Sequence, residues 1–375
     1  MLISVAAALS VTTCVTASMR PVSMAGASRV RTVLERAEWL PLAEAHSARV
    51  ASALGVSSTF EYDRADPLRN FVFQYYHLKP SQLRVWCPGP DVAMRGVTSA
   101  DFGKLVPHER WARAVHGSAT LYPAEAAPEQ QRVAMTSALA VLRAAAGREP
   151  HLLCHGLHEW AMLYHPASAA AAGVPPPPRH QGGLPLRVSQ AELNACVESL
   201  PLRCTHFDAF RFFAPEARPL NREGPLSRAR QAALEQPGCV HATMDLFKWA
   251  LRALPFIDAA LVPETLALAL KARVLDMRAS PYDLGAWDAH AASARAFPPA
   301  AAGGAMTSTT RTRGGRTLAP LSVEHLAPIR IESRDGRDEY RAYQLALYEE
   351  SRPVRAAMIA QYENFFAAAD STASL

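Results

Sequence analysis

Lysine is nearly missing from this chain: Lys79, Lys104, Lys248 and Lys271 are the only four among 39 basic residues. Together with 29 prolines and long alanine runs, this reads as biased base composition. A surface arginine here therefore says little about function, whereas a lysine set among aromatic residues says more. Carboxylates are missing from the first 34 positions, which hold Arg20, Arg29 and Arg31; without that segment the formal charge falls from +5 to +2. The basic pI of 9.0 is thus weak support for a nucleic-acid partner. No apolar run reaches the roughly 18 residues of a membrane span. Phosphate-binding glycine loops, a dinucleotide fingerprint, a Gly-x-Ser-x-Gly elbow and Cys-x-x-Cys pairs are all absent. Five cysteines follow Cys14, an odd number without paired short spacings, which argues against a disulfide framework and for a reducing compartment.

What is present begins with an acid-free segment, residues 1–34, rich in Ser, Thr, Ala and Arg behind an apolar run. It reads as an organelle-targeting presequence, plastid (in two-part form, signal then transit) or mitochondrial. The remainder, 35–375, reads as one mainly α, multi-helical domain with a few short strands. Two low-complexity insertions, near 167–183 and 288–323, are expected to be disordered. Helical spacing is expected over 35–54, over 65–86 as two helices joined at Pro80, and over 128–147. Further helices are expected in the segments beginning Gln190, His241 and Pro263, and over 337–366 with a break at Pro353; Ile329-Arg-Ile-Glu-Ser reads as a short strand.

Four segments carry candidate chemistry. In HATMDLFKWALRAL, the residues His241, Asp245, Lys248 and Arg252 form one polar line on an otherwise apolar helix, which is either a solvent face or a pocket wall. Lys248 is expected to pair with Asp245 one turn away, the alternative being a desolvated amine able to form a Schiff base. THFDAFRFF sets His206, Asp208 and Arg211 among phenylalanines; they form a structural bridge or line a pocket. HLLCHGLHEWAMLYH would place His151, His155 and His158 on one helical face with Glu159 adjoining. DMRASPYDL crowds Asp276, Arg278, Tyr282 and Asp283 at a helix end, as caps or as a cavity cover. No cofactor is certain. A divalent metal would draw on His158, His206, His241 and Asp245, a mixed set suited to iron, manganese or zinc.

The strings FVFQYYHLKPSQLRVWCPG, GLHEWAMLYH, RCTHFDAFRFF, ARPLNR, LEQPGCVHATMDLFKWA and LDMRASPYDL resemble a family of bacterial, largely actinobacterial, proteins labelled 3-methyladenine DNA glycosylase. The resemblance runs over about 66–360, the two insertions apart, and includes Asn221 and Glu235. His151, His155 and His165 fall where the family pattern has other residues. A helix-hairpin-helix motif is not legible: Gly238 precedes Asp258 by twenty residues, but Val240 stands where a second glycine belongs.

The resemblance implies hydrolysis of the N-glycosidic bond of an alkylated base. Asp208 or Asp245 would stabilise positive charge or activate water, with His206, His241, Glu159 and Lys248 as further catalytic groups. Trp160, Phe210 and Trp249 would stack on the base and Arg211 would hold phosphate, while His158, Asp276, Arg278 and Tyr282 would complete the substrate site. The residues leave two other readings open: a metal-dependent hydrolase or oxygenase acting on a small molecule, and a non-enzymatic helical binding protein of an organelle. Partners are accordingly a small molecule or a damaged base, with DNA weakly supported by charge.

Overall fold

The structure, a computed structural model, describes residues 30–56, 66–115, 119–181, 183–287, 310–321 and 325–373. In chain order the elements are β1 (Thr32–Leu34), α1 (Arg36–Leu54), α2 (Arg69–Tyr75), α3 (Pro80–Leu83), β2 (Val92–Arg95), β3 (Arg113–Val115), β4 (Ala119–Leu121) and α4 (Glu129–Ala146). There follow α5 (Leu157–Ala161), α6 (Ala167–Ala171), α7 (Gln190–Ser199), α8 (Phe207–Phe210), α9 (Gln231–Leu234), α10 (Val240–Ala253), α11 (Leu261–Ala279) and α12 (Arg334–Ala373). The architecture is mainly α, as its periodicities imply. No described helix is long and apolar enough to cross a membrane.

The core is built on α10 and α11, which pack along most of their lengths and are flanked by α1, α4 and α12. Both are buried nearly all round: α10 hides Val240, Met244, Phe247 and Ala250, and α11 hides Leu266, Ala269, Leu275 and Met277. A helix so placed has almost no solvent face, so its polar residues must find partners inside. Apart from this core stands a small sheet, ordered β1-β2-β4-β3, with β1 parallel to β2 and the other pairs antiparallel. Its own apolar cluster includes Leu34, Trp39, Trp86, Met94 and Tyr122.

Several expectations need correction. A presequence ending at residue 34 would remove β1, whose Val33 pairs in register with Ala93 and whose Leu34 is buried; the globular part already includes Val30. Residues 1–29 lie outside the described residues. The segment after Ala167 is not simply a disordered spacer: α6 buries Ala169, and 183–187 is pinned to the end of α11, with Asp283 N donating to Pro185 O (2.8 Å) and Arg187 N to Pro281 O (2.9 Å). Of the second insertion, 288–309 and 322–324 are not described, but Leu318 and Leu321 are buried and Tyr343 Oη donates to Ala319 O (2.7 Å).

Ile329-Arg-Ile-Glu-Ser is not a strand, because Ile329 N is spent on Arg278 O (2.7 Å) at the end of α11 and no strand pairs with it. Nor does Pro353 break α12. Leu347 and Ser351 before it and Met358, Tyr362 and Phe365 after it are all buried, and that anchoring outweighs the one lost backbone hydrogen bond.

Candidate active site

Five pieces of chain far apart in sequence bring ionisable side chains to one place. Gly156, at φ +74, turns the backbone into α5, which carries His158 and Glu159 inward. His206 precedes α8, which carries Asp208. Glu235 follows α9, α10 presents His241, Asp245 and Lys248, and α11 presents Arg273 and Asp276. Of the polar line foreseen on α10, Asp245 and Lys248 are buried, His241 is half-buried at the cavity, and Arg252 is exposed.

The groups form two linked networks. In one, His158 Nε2 and Asp276 Oδ1 are 2.5 Å apart, and Arg273 Nη1 donates to Asp276 Oδ2 (2.8 Å) and Glu159 Oε1 (3.1 Å). In the other, Lys248 Nζ contacts Asp245 and lies 3.4 Å from Asp208 Oδ2, while His206 Nδ1 is 3.2 Å from Glu235 and Nε2 is 3.7 Å from Asp245. His241 joins them: its ring meets that of His158 edge-on (4.6 Å between centroids) and stacks on that of His206 (5.3 Å).

Such groups cannot keep ordinary proton affinities. Burial works against a charged His158, but the Asp276 carboxylate more than offsets it and the imidazole is raised well above its usual value. His206 is likewise raised, burial being outweighed by Glu235 and Asp245. His241 is lowered well below the usual range, by burial and then by the cationic His158 beside it. Glu159 is raised by burial and by Asp276, whereas Asp208, despite burial, is held low by Lys248. The region thus holds carboxyl and imidazole groups in contrasting states, the arrangement by which acids and bases share a site.

Alongside lies a cavity of about 1010 Å³. Its lining includes the ionisable residues Glu159, Asp208, His241 and Arg273 and the aromatic residues Phe71, Tyr75, Phe212 and Trp287. Glu159 Oε2 and Arg273 Nε, both buried, have no hydrogen-bond partner among the described residues. Exposed His180, with Gln181 and Leu184, completes the wall. Outside Asp208, Arg211 and Arg228 lie 3.5 and 3.4 Å from its Oδ1 with largely solvent-facing side chains.

The structure brings some of the sequence-derived site residues to the cavity and sets others apart from it. Of its catalytic candidates, Asp208, His241 and Glu159 line the cavity, while His206, Asp245 and Lys248 stand behind them. Trp160, Phe210 and Trp249 do not reach the cavity. Trp160 is fully buried with Nε1 donating to Ala279 O (2.8 Å), Phe210 packs on Phe213, and Trp249 lies under Lys248, so the rings that line the cavity are others.

Four further expectations change at the same place. His151, His155 and His158 do not share a helical face, because α5 begins only at Leu157; His151 is exposed and His155 turns at φ 47 against Tyr340. Arg278 is structural, bonded to Ala327 O and Glu339. Tyr282 accepts from Gln181 N and braces the cavity wall from behind. Asp276 is no helix cap but the innermost carboxylate.

Sequence reasoning missed Arg273, Tyr75 and the 180–184 wall. Arg273 was detectable, being an arginine set among Leu, Ala and Val three residues before Asp276; the wall was hidden by its spacer-like composition. The five described cysteines are free thiols.

Compared with family models, with curated proteins and with solved structures, the chain has no match.

Proposed function

We propose that the chain is a hydrolytic enzyme acting on a small molecule, or an extruded nucleotide, that carries a planar ring, and that the bond cleaved is N-glycosidic. The observation that carries this reading is one cavity lined both by Glu159, Asp208, His241 and Arg273 and by four aromatic rings. Its volume, at the upper end of the roughly 300 to 1,000 Å³ of small-molecule pockets, leaves room for a nucleotide. The aromatic residues, Phe71, Tyr75, Phe212 and Trp287, take the ring.

Asp208, ionised by its cationic neighbours, faces the positive charge that grows at C1′. The C1′–N bond breaks with its electron pair on the base, water adds to C1′, and the proton that water loses ends on the departing base. Arg211 and Arg228 stand where a phosphate attached to the sugar is met from the solvent side. The resemblance of the sequence strings to proteins labelled 3-methyladenine DNA glycosylase supports the same chemistry.

The test is chromatography of free base after incubating full-length protein with alkylated DNA and, separately, with alkylated nucleosides and nucleotides. Release is expected from at least one of them and is expected to fall by more than about a hundredfold in Asp208→Asn, the order of loss on removing an electrostatic stabiliser. No base released from any of these substrates sinks the proposal.

A further inference from the structure

Two sets of side chains offer three metal-ligand atoms each within 4.8 Å of one another: His158, His241 and Asp276, and His206, Asp208 and Asp245. They differ in what already stands among them. In the second set the Lys248 ammonium touches Asp245 and lies 3.4 Å from Asp208, so a cation occupies the place an ion would take. In the first set no described lysine or arginine is bonded to His158 Nε2 or Asp276 Oδ1; these two atoms meet directly, 2.5 Å apart, and the proton they share is the one a metal ion would displace. Arg273 is bound to Asp276 from the far side, through Oδ2, leaving Oδ1 toward His158.

We propose that His158 Nε2, His241 and Asp276 Oδ1 hold one divalent transition-metal ion at the His241 side of the cavity. Two imidazoles and one carboxylate are a donor set suited to iron(II), manganese(II) or zinc, and they leave coordination positions open. His241 lines the cavity, so an open position faces it, where water or a substrate oxygen is bound.

The surroundings have the form of an outer shell. Arg273 fixes the Asp276 carboxylate, and the Cys154 thiol lies 3.7 Å from His158 Nδ1, orienting the ring so that Nε2 points inward. The inference does not depend on the substrate, because the ion is read without one.

The test uses full-length protein stripped with a chelator and titrated with cobalt(II) as a spectroscopic probe, and with zinc(II) and manganese(II) in competition. Expected are a visible d–d band that saturates at one ion per chain and at least about tenfold weaker binding in His241→Gln. His206→Gln removes a ligand of the second set and only a stacking neighbour of His241 from the first, and is expected to keep both the band and its stoichiometry. Asp276→Asn is a poorer probe, since it strips Arg273 of a partner, and His241 on the cavity wall gives the safer variant. No stoichiometric uptake by the wild type overturns the proposal. So does uptake indifferent to His241→Gln, or uptake lost in His206→Gln and kept in His241→Gln.

Discussion

Lys248 is shared by two carboxylates, Asp208 at the cavity and Asp245 behind it. Removing the ammonium strands both charges in a dry interior, so Lys248→Met is expected to cost about 3–5 kcal/mol. Urea unfolding checks this: a variant as stable as wild type would mean that the lysine is not neutralising the pair. The same pairing predicts no borohydride-trapped adduct with aldehydes or an abasic-site oligonucleotide.

A second residue-scale prediction concerns His46, whose Nε2 lies 3.0 Å from Leu83 O and whose pKa is drawn by burial from 6.5 to about 4. Below about pH 6.5 the unfolded ring takes up a proton that the folded ring refuses until about pH 4, so the unfolded state binds more protons and stability falls with acidity. Between pH 7 and 5 this contributes a loss of about 2 kcal/mol. His46→Gln is expected to lose that part of the slope in urea midpoints measured at both pH values; an unchanged slope would refute it. At this scale the sequence was legible wherever an ionisable residue sat on a strongly apolar helix, as with His241, Asp245 and Lys248. It was illegible for the stacking rings, because Trp160 and Phe71 look equally suitable until burial separates them.

Among the elements, α5 is short but decides where two site residues point. It begins at Gly156, whose φ is +74 and where an added Cβ would stand 3.0 Å from Ala279 Cβ. Gly156→Ala is therefore expected to destabilise by roughly 1–2 kcal/mol from the left-handed backbone alone. It should also perturb His158 more than His206, which imidazole NMR resonances would show; equal perturbation of both rings would deny α5 its separate role.

The long helices were readable because apolar residues recur at helical spacing over many turns, and α4 ends at Gly147 as its sequence suggests. The sheet was not readable. Strands of three or four residues contain too few alternations to register, and their pairing joins β1 to β2 across the whole of α1. Pro353 misled for the opposite reason: a strong local signal was overruled by packing on both sides of it.

For the whole molecule, the low-complexity stretch divides into a part that matters and a part that does not. Pro175–Pro178 are largely exposed, while Leu184 is buried and Gln181 and Leu184 line the cavity. Replacing the four prolines by a short Gly-Ser link is expected to shift stability by no more than about 0.5 kcal/mol. Deleting 180–184 should expose the cavity and lower the thermal midpoint, and differential scanning calorimetry of the two deletions separates them; equal effects would contradict the division.

The partners in the buried networks are widely separated along the chain, 118 residues for His158 and Asp276 and 114 for Arg273 and Glu159. Contacts of such span close late, after the intervening loops have lost their entropy, so the His158–Asp276 and Glu159–Arg273 pairs form only when most of the chain has folded. A ligand that fills the cavity binds only the completed fold and holds all of it together by mass action. The melting transition of the intact protein is thus a detector for that ligand: a compound present at a hundred times its dissociation constant adds about 2.7 kcal/mol to the stability of every element at once.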